Sequence, residues 1–322
     1  MNKKILIITG DPNSINSEII YKTWKKISND QKKEVFLIGS HNLINEQFKK
    51  LKIKIKIDKV KNLEDYNFSK NLKILDIPLT FKNPFLVNQK AASKYLIDSF
   101  KVADILAKNK KVYGIINCPI DKKLLKKTKK VGVTEYFASI CKIFDKSEVM
   151  MIYNKKLSVV PLTTHIEVKN ISKNINKRLI VNKLLSLNKN YRKLFKKKPK
   201  IGILGLNPHN GEMRKNTEEI KDIIPAIKVL KKKGVNITGP LVADTVFIDN
   251  YKNFNVLVGM YHDQVLTPFK TLFHYNAINI TLGLPYIRVS PDHGPACSLI
   301  GKNKGNYLSL FQCVNFFNNI IK

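Results

Sequence analysis

Short apolar runs alternate with longer stretches of helical spacing along most of the chain, and this alternation predicts the elements. Ile5 to Ile8, Val35 to Ile38, Val112 to Ile116, Ile201 to Leu204, Val256 to Met260 and Ala277 to Thr281 read as strands bounded by Gly, Pro, Asn or His. Val149 to Tyr153 and Leu157 to Leu162 read as a strand pair across the turn Asn154-Lys155-Lys156. Ser17 to Ile27, Ala91 to Ala107, Ile171 to Leu187 and Thr217 to Lys232 carry helical periodicity. Thr217 is the expected N-cap of the last, with Glu218 and Glu219 in its first turn. The Lys-rich stretch Asn188 to Lys200 reads as a surface crossing. Strand-helix alternation of this kind predicts an α/β fold with a largely parallel sheet. In such sheets ligands bind at the carboxyl ends of the strands.

The polar blocks fall at those ends. Three of the six histidines follow strand-like runs: His165 in Thr163-Thr164-His165-Ile166, His209 in Asn207-Pro208-His209-Asn210-Gly211-Glu212, and His262 in Met260-Tyr261-His262-Asp263-Gln264. One such histidine alone is more often packed or solvated. Three in separate strand-exit blocks point to one shared divalent metal with open positions for substrate. Asp263, or Asp244 in the block Gly239 to Thr245, is placed to orient a ligand. There is no HExxH spacing of a zinc protease.

Other blocks suggest anion recognition. Lys270, Asn279 and Arg288 combine two cations with an amide, a good clamp for phosphate or carboxylate. The turn Asp292-His293-Gly294-Pro295-Ala296 allows close approach to a cofactor. Thr134 reads equally as a phosphate donor and as a helix cap. The Gly10-Asp11-Pro12 block either cradles an anion or is an ordinary strand-to-helix turn; it lacks the glycines of a dinucleotide fingerprint. Lys122, after Asn117-Cys118-Pro119-Ile120-Asp121, reads as solvated unless further context joins it.

Composition changes this picture little. The 322 residues, 43% hydrophobic, suffice for two domains or one large one. No apolar run approaches the ~20 residues of a membrane span, and the first apolar run is too short for a signal-peptide core. Four scattered cysteines without CxxC fit a reduced, cytoplasmic compartment. The net charge of +34 raises nucleic acid as a partner. Its distribution argues otherwise. Residues 1–200 hold 45 Lys and Arg against 16 Asp and Glu, and residues 201–322 hold 13 against 8. The excess is mostly Lys spread over many predicted helices, not clustered Arg with interleaved aromatics. Neither nucleic acid nor membrane is expected as a partner.

In order, Gly10-Asp11-Pro12, Cys118-Pro119-Ile120-Asp121-Lys122, Thr163-Thr164-His165-Ile166, Leu206-Asn207-Pro208-His209-x-Gly211-Glu212, Gly239-Pro240-x-x-Ala243-Asp244-Thr245, Met260 to Gln264, Asn279 to Pro285 and Asp292-His293-Gly294 closely resemble the 4-hydroxythreonine-4-phosphate dehydrogenase (PdxA) family. The resemblance runs nearly end to end.

It implies a two-domain α/β fold like that of isocitrate and isopropylmalate dehydrogenases, with a cleft between the domains. Residues 1–125 with 285–322 would form the first domain, and 126–284 the second, dimer-forming one. It implies a homodimer whose metal site is shared between subunits, with His165, His209 and His262 as ligands to zinc, cobalt or magnesium. It implies substrate contacts at Thr134, Lys270, Asn279 and Arg288, and cofactor contacts at Asp292, His293 and Gly294. The implied reaction is NAD-dependent (alternatively NADP-dependent) oxidation and decarboxylation of 4-phosphohydroxy-L-threonine to 3-amino-2-oxopropyl phosphate, in pyridoxal 5'-phosphate biosynthesis. Asp244, Asp263 and Lys270 are the candidate catalytic groups; the base is open among Asp244, Asp263 and a metal-bound water.

The chain departs from the family pattern in three places. Val133 replaces a substrate-contacting His, the first block lacks two later glycines, and Met213 to Thr217 replaces a glycine-rich stretch. The first departure motivates an alternative substrate, such as a four-carbon sugar-acid phosphate. A basic nucleic-acid-binding protein on the same scaffold is the third reading.

Overall fold

The computed structural model describes residues 3–64, 71–128, 132–143 and 147–321. Twelve strands occur among them: β1 (Ile5–Ile8), β2 (Val35–Gly39), β3 (Ile57–Val60), β4 (Leu72–Asp76), β5 (Gly114–Asn117), β6 (Val149–Tyr153), β7 (Ser158–Pro161), β8 (Ile201–Leu204), β9 (Ile237–Leu241), β10 (Val256–Gly259), β11 (Ile278–Leu282) and β12 (Ile287–Pro291). The fold is α/β. The chain divides into two compact units, residues 1–136 with 285–322, and residues 137–284.

In the first unit the strand order is β3-β4-β2-β1-β5-β12, every pair parallel. β1 and β2 are buried along their whole length, which is why they are apolar without alternation. The helix Gln89–Lys108 buries Ala92, Leu96, Phe100 and Ala103 at helical spacing.

In the second unit the order is β11-β6-β7-β10-β8-β9. β7, β10, β8 and β9 run parallel, whereas β6 pairs antiparallel with both β7 and β11. The expected β6–β7 hairpin is present, and Asn154 Oδ1 accepts from Lys156 N at 2.9 Å in its turn. Leu157, Val159, Leu204, Leu257, Val265 and Phe269 share one buried cluster, each such side chain contributing about 1.5–3 kcal/mol.

Several sequence expectations need correction. The helix expected over Ile171 to Leu187 is two: Ile171–Asn174, then Lys177–Phe195, restarted by Asn176, whose side chain accepts from Leu179 N. The expected crossing at Asn188 to Lys200 is helical as far as Phe195, because Tyr191 is buried and holds the last turns down. Thr217 is not an N-cap. Its hydroxyl donates to Arg214 O at 2.8 Å, and the helix beyond opens with a π-helical turn, Glu219–Ile223. The strand expected from Val112 begins at Gly114, and that expected from Ala277 begins at Ile278. β3, β4, β9 and β12 gave no clear signal: β3 has charged Asp58 and Lys59 at its centre, and β9 contains Gly239-Pro240.

Candidate functional site

The second unit builds its site on neighbouring strands. The register sets Gly259 of β10 beside Pro161 of β7, and Val258 beside Ile203 of β8. The three parallel strands therefore end together, and each leads into one histidine block. Side chains cross-link the exits. Thr163 Oγ1 donates to Met260 O at 2.7 Å. Gln264 accepts from Met260 N at 2.7 Å and donates from Nε2 to Gly205 O at 2.8 Å. The next strand, β9, leads to Asp244, exposed in the short helix Ala243–Val246.

His165 and His262 are brought together, with ring centroids 6.3 Å apart. With metal–nitrogen bonds of about 2.0–2.1 Å, that separation is at the limit one ion can span, and tetrahedral ligation by both needs the rings to turn closer. His262 opens the helix His262–Phe273, and its Nδ1 lies 2.6 Å from Asp263 Oδ1. A carboxylate on Nδ1 fixes the ring and directs Nε2 outward as a ligand. His209 is exposed beyond β8 and is not gathered with that pair; among the described residues no group of three or more His, Cys, Asp or Glu is close enough to hold a metal. The donor chemistry thus suits a divalent ion, with two of the three imidazoles already adjacent within one chain.

The His209 block has an unusual backbone. His209, Asn210, Gly211 and Glu212 all lie at φ 50–60° and ψ 23–34°, a left-handed turn. Such a conformation costs roughly 1–2 kcal/mol for each non-glycine residue, so the surroundings must hold it. Asn210 is buried and its Nδ2 donates to Pro240 O at 3.1 Å. Glu219, which is 0% exposed, holds the approach to the turn. Its Oε1 accepts from Leu206 N at 2.7 Å and Asn207 N at 2.8 Å, and its Oε2 from Asn207 Nδ2 at 2.9 Å. Burial pushes the Glu219 carboxyl up, but these bonds outweigh it and hold it below the usual range. Glu218 also accepts from Asn207 Nδ2 and from Ser172 Oγ.

Lys270 and Asn279 also belong to the second unit. Lys270 is exposed on the third turn of His262–Phe273. Asn279, on β11, has a buried Oδ1 with no partner among the described residues, the kind of group that a ligand satisfies.

The first unit gathers the other anion-binding candidates. Arg288, on β12, is 2% exposed. Its Nε donates to Asn117 Oδ1 at 2.6 Å and its Nη1 to Thr134 Oγ1 at 3.3 Å. Burial pulls the Arg288 pKa down to about 10. Thr134 lies inside the helix Val133–Ile140, so it does not cap it. Asn117 is a residue that sequence reasoning did not single out; its only signal was its place at the end of β5.

The Asp292-His293-Gly294 turn follows β12. Asp292 N donates to Ser309 Oγ at 2.9 Å, and His293 Nδ1 lies 2.9 Å from Gly294 O. A Cβ on Gly294 would meet nothing within 4 Å, so this exposed backbone faces open space. The turn leads to the short helical turn Cys297–Leu299, not directly into the long helix Leu308–Ile321. Ile15 N donates to Pro295 O at 3.2 Å, and Cys297 Sγ to Asn13 O at 3.1 Å, tying it to the first block. The Asp11 carboxylate of that block is already engaged. Asp11 accepts from Asn13 N at 2.8 Å and Asp121 N at 3.0 Å, so its own carboxylate occupies these donors.

These features define an α/β protein with three histidine blocks at the carboxyl ends of adjacent parallel strands. Comparison with known proteins is more specific. The sequence model of the pyridoxal phosphate biosynthetic protein PdxA matches residues 31–317. A 4-hydroxythreonine-4-phosphate dehydrogenase of Aquifex aeolicus is 38% identical, covering 100% of this chain and 99% of the relative. A putative D-threonate 4-phosphate dehydrogenase of Oceanobacillus iheyensis is 33% identical, covering 98% of this chain and 97% of the relative. The crystal structure of the 4-hydroxythreonine-4-phosphate dehydrogenase of Klebsiella pneumoniae matches with a TM-score of 0.87 at 28% identity, covering 99% of each chain. The chain belongs to the PdxA family.

Proposed function

We propose that this chain is a metal- and NAD-dependent dehydrogenase that oxidises and decarboxylates 4-phosphohydroxy-L-threonine to 3-amino-2-oxopropyl phosphate, in pyridoxal 5'-phosphate biosynthesis. The observation that carries this reading is the full-length match to a 4-hydroxythreonine-4-phosphate dehydrogenase, joined to three histidines on three adjacent strand ends. When bound, the metal supplies Lewis acidity at the substrate hydroxyl and NAD accepts a hydride.

The chain's own residues do the rest. His165, His209 and His262 would hold the ion, with Asp263 fixing the His262 ring. The adjacency of His165 and His262, with His209 exposed on the next strand end, favours a centre completed by a second copy in a homodimer formed by residues 126–284. Thr134 accepts from Arg288; a hydroxyl polarised in this way donates more strongly to phosphate. Lys270 and Asn279 contact the substrate and orient it. Asp244 and Asp263 are the candidate side chains for taking the hydroxyl proton. Asp292, His293 and Gly294 line the cofactor. The ion is zinc, cobalt or magnesium, and NADP is the alternative cofactor. A soluble cytoplasmic enzyme fits this chemistry; no described helix is long and apolar enough to cross a membrane.

Val133 motivates a second reading, oxidation of a four-carbon sugar-acid phosphate, the kind of substrate named for the putative Oceanobacillus relative; the other relatives' names do not favour it. NADH formation from both substrates, with metal and with chelator, decides between them. The first reading expects turnover of 4-phosphohydroxy-L-threonine that chelator abolishes. Turnover of D-threonate 4-phosphate alone would reject it. His209→Ala should lose metal affinity and turnover together while sedimenting as the same dimer; full activity in that variant would remove His209 from the centre.

A further inference from the structure

The His209 turn is left-handed through consecutive residues, and the turn alone does not account for its stability. The loop leading into it runs from Gly205 to Gly211, and one carboxylate reaches both ends of it. A Cβ on Gly205 would lie 3.0 Å from Glu219 Oε1, and one on Gly211 would lie 3.3 Å from Glu219 Oε2. Between these glycines, Glu219 takes both backbone N–H groups of Leu206 and Asn207 and the Asn207 amide. Three donors on one buried carboxylate leave the loop a single way to leave β8. His209 follows two residues later.

We propose that Glu219 is the positioning residue for His209: its carboxylate fixes the Gly205–Gly211 loop, and so presents the His209 imidazole in the orientation that metal ligation needs. This rests on the reading of His209 as a metal ligand. Glu219 touches neither substrate nor ion. It acts through the backbone of Leu206 and Asn207, as carboxylates behind ligating histidines act through the ring. Glu219 opens the π-helical turn Glu219–Ile223, and its side chain reaches the exit of β8.

The test is Co2+ titration of the purified full-length metal-free protein, followed by visible absorption, in Glu219→Ala, Glu219→Gln and His209→Ala. Amide exchange at Leu206 and Asn207 and the unfolding temperature are measured in parallel. Glu219→Ala should weaken Co2+ binding about 10- to 100-fold, alter the absorption band and speed exchange at both amides, with cooperative unfolding retained. Glu219→Gln keeps an acceptor oxygen and the side-chain shape, so it should recover part of the affinity; it also serves if the alanine variant does not fold. Wild-type Co2+ affinity and spectrum in folded Glu219 variants, with His209→Ala impaired, would overturn this role while leaving the metal reading intact. Wild-type Co2+ binding in His209→Ala would overturn the metal reading, and this role with it.

Discussion

At the scale of single residues, buried polar groups carry most of what is specific to this chain. Arg288 reaches Asn117 and Thr134 from inside a strand, and Glu219 gathers three donors. Lys73 is a third case, remote from any proposed chemistry. It is 0% exposed on β4, donates to Lys32 O at 2.9 Å and Lys33 O at 2.6 Å, and lies 4.1 Å from the Phe36 ring centroid. It thereby caps the carbonyl end of the short helix Asn29–Glu34. Burial pulls its pKa from 10.5 down to about 8. Between those values the unfolded chain binds a proton that the folded chain has released, so this group makes stability rise with pH. Lys73→Met lacks that contribution. The melting temperature of the wild type relative to Lys73→Met should therefore climb by about 2–4 °C between pH 8 and 10. Parallel curves for the two proteins across that window would contradict it.

At the scale of elements, the joints between them decide more than their interiors. Gly10 joins β1 to the helix Asn16–Lys26 at φ +75°. A Cβ there would sit 2.6 Å from Asn16 Nδ2 and 2.7 Å from Pro119 O, and Asn16 Nδ2 holds Thr9 O at 2.9 Å and Pro119 O at 2.8 Å. Gly10→Ala should cost about 2 kcal/mol or more, read as a lower denaturant midpoint with an unchanged m-value. The same joint shows how the first block, without the two later glycines, is held: Asp11 and Asn16 tie it to the Pro119–Asp121 segment. The His209 turn is another joint, where a left-handed run is held by Asn210 and Glu219. Strand and helix interiors were legible from apolar spacing, because burial of one face imposes it. β3, β9 and the break at Asn174 were not, since pairing with a neighbour or a cap on a following helix fixed them.

At the scale of the whole molecule, charge is the distinctive property. A net charge of +34 spread over exposed lysines repels itself in the compact state. Adding salt from about 10 mM to about 200 mM shortens the Debye length from roughly 30 Å to under 10 Å, so the melting temperature should rise over that range in a non-binding salt such as NaCl. A fall would show that ion pairs such as Lys22–Glu18 and Lys108–Asp104 outweigh the repulsion. The sequence alone determined the α/β class, the family and the residue types available for a metal and an anion, because apolar spacing and local polar blocks are properties of neighbours along the chain. Only the tertiary structure decided that β7, β10 and β8 lie side by side, so that blocks beginning at Thr163, Asn207 and Met260 share one end of a sheet. It also decided that Asn117 meets Arg288 in one unit and that Glu219 holds the Asn207 backbone in the other. Strand order and buried side-chain partners arise from packing between segments 12 to 171 residues apart, and no local pattern encodes that.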